Sequence, residues 1–133
     1  MDQAIVACST PPGRGAISVV RISGKEVKSI INNLFSLEFD HGTSKVAETN
    51  LSEGFNEKCL ISCFESPSSY TGEDVAEISC HGNPLIVRAL IQKCIELGAR
   101  NANPGEFTQR AFLNNKIDLC LLYTSDAADD VYC

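Results

Sequence analysis

Apolar and polar positions along the chain fall into two rhythms, short β-prone runs and helical spacings. Ile5 to Cys8 and Ala16 to Ile22 predict two strands, separated by the breaker cluster TPPGRG at 10–15. After Ser23-Gly24, residues Val27, Ile30, Ile31 and Leu34 recur at 0, +3, +4 and +7, the spacing of one buried helix face. Residues 36–57 are polar and poorly periodic, with a strand expected near Lys45–Leu51 and a turn around Gly54. Lys58–Phe64 alternates weakly and reads as a strand. ESPSSYTGED (65–74) reads as a loop, and Val75–Cys80 as a short strand after it.

The sharpest local signal is a helix over 84–97. Asn83 can cap the free amide groups, Pro84 suits the first helical position, and Gly98 supplies the stop. Leu90, Ile91, Cys94, Ile95 and Leu97 give it a broad apolar face, and Arg88, Gln92 and Glu96 an exposed one. A further helix is expected from about Glu106 to Asn114, after Pro104-Gly105. Strands and helices mix without a regular βαβ repeat. The expected class is therefore α+β, a mixed sheet with packed helices.

The length of 133 residues suits one compact domain, and 44% apolar with 21% charged residues is ordinary globular composition. No apolar run approaches the roughly 20 residues of a membrane helix, and no signal peptide precedes the first strand. A formal charge of −6 speaks against nonspecific nucleic-acid binding as the main task. Seven cysteines, an odd number, read as reduced thiols of a soluble cytoplasmic protein. The tail changes part of this picture. CLLYTSDAADD, from Cys120, resembles an in-frame translation of a transposon adapter used in sequencing libraries. The expected division is thus a domain over 1–119 and a non-native tail over 120–133. Asp126, Asp129, Asp130, Cys120 and Cys133 all fall in the tail.

No GxxxxGK[ST] phosphate loop occurs, and GRGAIS (13–18) is not GxGxxG. Cys59 and Cys63 share a strand face too far apart to chelate easily, so no metal site is expected. Cys80 and His81 are neighbours on a strand and point to opposite faces, which leaves a buried thiol and a loop histidine. Two charges are harder to place. Arg21 lies in the apolar strand VVRIS and Glu77 in VAEIS, and each needs a partner, a wet pocket or a sheet edge. They either pair with each other or line a pocket. In a pocket, the carboxylate could accept two parallel N–H bonds from an amidine-like edge such as that of a pterin or guanine.

Three blocks carry a resemblance: TPPGRGAISVVRISG (10–24), SYTGEDVAEISCHGNP (69–84) and NPGEFTQRAFLNNKIDL (103–119). Together they resemble the N-terminal domain of the tRNA uridine-5-carboxymethylaminomethyl modification GTPases, the MnmE/TrmE family. The resemblance implies a tetrahydrofolate-binding fold related to the folate domain of aminomethyltransferases. It also implies binding of 5-formyltetrahydrofolate and homodimerisation through this domain. By the family's motifs, Arg21, Glu77 and Lys116 are the folate-contacting positions, and no residue is catalytic. The full-length family protein adds a GTPase domain, with its GTP, potassium and magnesium. With a flavoprotein partner of the MnmG/GidA type it modifies carbon five of the wobble uridine of tRNA. None of the GTPase machinery occurs in this sequence, so the expected part is a binding module without turnover. The alternatives are a stand-alone folate-dependent aminomethyl transferase and a purely structural dimerisation module. Asn83 departs from the family's usual second glycine after His81-Gly82, with little consequence expected.

Overall fold

The computed structural model describes residues 1–10 and 15–116; the tail over 120–133, the end of the third block and most of the TPPGRG loop lie outside these residues. The chain runs β1 (Ile5–Cys8), β2 (Ile17–Ser23), α1 (Val27–Phe35), β3 (Ser44–Ser52), β4 (Phe55–Phe64), β5 (Val75–His81), α2 (Pro84–Glu96), β6 (Arg100–Asn101) and α3 (Glu106–Leu113). The strands form one sheet in the order β3-β4-β5-β2-β1-β6. Every neighbouring pair is antiparallel except β1 and β6. This is the α+β arrangement expected.

The sheet has two unlike faces because strand side chains alternate. Val6, Val20, Ile22, Ile61, Ala76 and Ile78 point to one face and are buried under α1 and α2. α1 contributes Val27, Ile30, Ile31 and Phe35; Leu34, read from sequence as the fourth position of this face, is only partly buried, and Phe35 takes the buried place. α2 sends Leu90 and Cys94 fully into the core, while Ile91, Ile95 and Leu97 are only half-buried. Asn83 caps α2 as expected: its side chain accepts from the Leu85 N–H at 2.8 Å, with Pro84 at the first helical position.

In the region 36–57 the strand expected near Lys45–Leu51 and the turn at Gly54 are present, and both strands of the hairpin run longer than expected. The region contains a nine-residue strand and the start of a ten-residue one, joined in a hairpin with Gly54 at φ +77°. The inward positions of β3 include Lys45, Ala47 and Thr49, which give little apolar contrast, so the period of two was faint. The loop over 65–74 is also unlike a solvated connection: Thr71, Glu73 and Asp74 are buried in it.

α3 crosses the other face at one end of the sheet. There the Arg110 guanidinium donates to the Ser23 carbonyl at 3.4 Å, and Phe107 stands over Arg21. Among the described residues no other helix covers that second face, and Ile17, Val46 and Leu60 are exposed on it. No helix of the described residues is long and apolar enough to cross a membrane.

Candidate functional site

Arg21 and Glu77 sit opposite each other on β2 and β5, in direct register and on the uncovered face. Arg21 Nε donates to Glu77 Oε2 at 3.0 Å, and Nη2 reaches the same oxygen at 3.0 Å. Of the two possibilities open in the sequence, the ion pair is therefore present. It is not sealed, however. The two side chains are 24% and 34% exposed, and Glu77 Oε1 makes no hydrogen bond among the described residues. A charge pair this wet contributes little to stability, about 0–1 kcal/mol. A ligand can therefore compete for it at small cost.

Two aromatic rings flank the pair. The Arg21 guanidinium lies 5.2 Å from the centroid of Tyr70 and 5.5 Å from that of Phe107, both within cation–π range. Tyr70 belongs to the 65–74 loop and Phe107 to α3, and the two are tied by a 2.9 Å hydrogen bond between Tyr70 Oη and Thr108 Oγ1. Carboxylate, guanidinium and two rings make a partly exposed cluster on the uncovered face. That combination suits a flat heterocycle with an N–H-bearing edge.

What holds the rings in place is a buried polar network that sequence reasoning missed. Arg110 Nη1 donates to Glu73 Oε1 at 2.9 Å, and Ser23 donates its hydroxyl hydrogen to the same oxygen at 2.7 Å. Glu106 accepts from Arg100 through both oxygens, at 2.9 and 2.5 Å, and from Arg110 at 3.4 Å. The Arg100 hydrogen bonds, helped by the Asn103 N–H and the charge of Arg110, hold the Glu106 carboxyl below the usual carboxylate range against the opposing effect of burial. The one local signal was the Glu106/Arg110 spacing of four on a helix.

Lys116 makes no contact with the Arg21–Glu77 pair among the described residues. It is exposed, follows the C-terminal end of α3, and makes no side-chain ion pair among the described residues. Cys80 is buried on the core face, and its thiol is pushed up to about 11, first by burial. Cys59 and Cys94 are pushed up to about 12, again by burial, so these thiols are poor nucleophiles at neutral pH. His81 is not a loop residue but the last residue of β5, and it has a partner the sequence did not announce. The β4–β5 ladder ends at Leu60 and Ser79. Beyond it the buried carboxylate of Glu57 accepts from the His81 N–H at 2.9 Å and lies 2.7 Å from Nδ1. Glu57 thus stands in for a missing ladder carbonyl. The next residue, Gly82, could carry no side chain, because a Cβ there would lie 2.0 Å from the Gly15 carbonyl oxygen. Among the described residues, no group of three or more His, Cys, Asp or Glu could hold a metal ion.

A family model described as the N-terminus of the GTP-binding protein TrmE matches residues 4–116, nearly the whole described chain. The chain belongs to the TrmE N-terminal family. Similar proteins bear the name tRNA modification GTPase MnmE. One from Helicobacter pylori is 44% identical over 120 residues, covering 90% of this chain and 27% of the relative. One from Francisella philomiragia is 48% identical over 116 residues, covering 86% and 26%. One from Thermotoga petrophila is 42% identical over 117 residues, covering 86% and 26%. The chain thus spans about a quarter of the length of these relatives. The TrmE N-terminal match includes all three polar centres described above: Arg21 with Glu77, Arg110 with Glu73, and His81 with Glu57.

Proposed function

We propose that this chain is the folate-binding, non-catalytic N-terminal module of a tRNA modification GTPase. The observation that carries the reading is the Arg21–Glu77 pair on an uncovered sheet face, half-exposed, with one carboxylate oxygen uncommitted and two flanking aromatic rings. A reduced folate such as 5-formyltetrahydrofolate fits this donor and acceptor set. Its pterin ring presents parallel N–H donors to Glu77 and a flat face to Tyr70 and Phe107. Arg21 faces its carbonyl edge, and Lys116 is the cation assigned to its glutamate tail. Glu77 and Arg21 bind and orient the ring, and the chain itself carries out no bond-making step.

In the same reading, a second copy of the domain covers the remainder of the open face. Ile17 and Val46 are 63% and 62% exposed there, and Leu60 stands beside Val46 across the β3–β4 pair. An apolar patch of this kind on a sheet face suits a homodimer. In the whole protein, the module serves a GTPase domain and a flavoprotein partner that act on the wobble uridine of tRNA. Cytoplasmic residence follows from that substrate.

Calorimetric titration of the chain with 5-formyltetrahydrofolate tests the reading. Saturable binding is expected, weakened about tenfold or more by Glu77→Gln, which removes a charged acceptor, and by Arg21→Ala. Affinity unchanged in Glu77→Gln would place the ring elsewhere. No binding by the folded chain would remove the folate assignment.

A further inference from the structure

The opposite side of the sheet carries a second cleft, of about 500 Å³, between α2 and the β1–β2 end. That volume lies in the range of small-molecule sites. Ser18, on β2, points into it; Arg21, three positions along the same strand, points to the other face. One wall is a stripe of α2 distinct from the one that enters the core: Val87, Ile91 and Ile95, at spacing four and only half-buried.

Two features mark the cleft as more than a packing defect. Ser18 is 5% exposed, yet its hydroxyl makes no hydrogen bond among the described residues. Buried hydroxyls are seldom left without a partner, because the desolvation goes uncompensated. At the rim, Arg88 forms no ion pair among the described residues, and it is the one ionised side chain lining the cleft. Among the described residues no carboxylate lines it, in a chain whose formal charge is −6. Pro84 places the positive end of the α2 dipole at the same rim. The side-chain amides of Gln92 and Asn101 add polar groups without charge.

We propose that this cleft binds a small organic anion with an apolar body. The anionic group pairs with Arg88, the body lies along Val87, Ile91 and Ile95, and a polar atom of the ligand meets the Ser18 hydroxyl. The site is separate from the folate reading and does not depend on it, since the two lie on opposite faces of the sheet.

The test follows backbone amide resonances of the chain during titration with phenyl phosphate, and separately with inorganic phosphate and benzyl alcohol. Phenyl phosphate is expected to give saturable shifts confined to residues 18–20 and 87–95, with neither half-probe matching its affinity. Arg88→Gln, at an exposed position that the fold does not need, should weaken it about tenfold. Ser18→Ala removes no protein hydrogen bond, so it should leave folding intact and weaken the probe severalfold. The absence of saturable shifts, or equal affinity in Arg88→Gln, would overturn the proposal. Inorganic phosphate binding as tightly as phenyl phosphate would reduce the site to a bare anion spot, and equal binding of benzyl alcohol would remove the anion; either result contradicts it.

Discussion

Arg110 and Glu73 come from segments 37 residues apart and meet where neither is more than 6% exposed. Two charges at that depth are tolerable only because each is paired and hydrogen-bonded. Arg110 spends its donors on Glu73, Glu106 and the Ser23 carbonyl, and Glu73 also accepts from the Asp2 N–H. Removing Glu73 takes away the shorter of the two carboxylate contacts of a buried Arg110 and leaves it only the 3.4 Å contact to Glu106, which costs roughly 3 kcal/mol. Glu73→Ala should therefore lower the unfolding free energy obtained from urea denaturation by about that amount. It should also weaken folate binding, because Phe107 and Tyr70 lose their anchor. The Glu77→Gln change at the wet pair should leave stability within about 1 kcal/mol of the parent while abolishing most of the affinity. These two residues also divide what the sequence revealed. Arg21 and Glu77 were conspicuous because each interrupts a short apolar strand. Glu73 looked like one acid in a polar loop, and only the fold brings Arg110 to it. The pairing of Glu57 with His81 was hidden for the same reason: it depends on where a ladder stops.

Among the elements, α2 was the most legible because its cap, first-turn proline, apolar stripe and terminal glycine all agree. Asn83 makes a real capping bond to the Leu85 N–H. Asn83→Ala should cost about 1 kcal/mol and Asn83→Gly only a few tenths, measurable as a difference in thermal midpoint. β6 was not anticipated at all, and β3 was legible as a strand but not to its full length. The outward face of β3 is polar and its inward face only weakly apolar, while β6 is two residues long and exists through its parallel pairing with Ile5 and Val6. Strands of that kind are specified by their neighbours more than by their own pattern.

For the whole molecule, the sheet is a partition. Among the described residues, one face is filled by α1 and α2, and the other is only partly covered by α3, leaving the Arg21–Glu77 pair and the Ile17/Val46 patch in the open. Its acid response follows from the clamp on α3. A Glu106 carboxyl held below its ordinary value of 4.5 contributes stability that is complete above that pH and is lost as pH falls through the lowered value. Denaturant midpoints should be flat near neutrality and decline below about pH 4.5, and Glu106→Gln should flatten that decline while lowering the neutral plateau. The central claim, that the open face is the folate face, is tested most directly by an amide-resonance titration of the chain with 5-formyltetrahydrofolate. The account expects saturable shifts in residues 19–23 and 75–79 and around Tyr70 and Phe107, absent in Glu77→Gln. Shifts centred instead on residues 87–95, across the sheet, would contradict it.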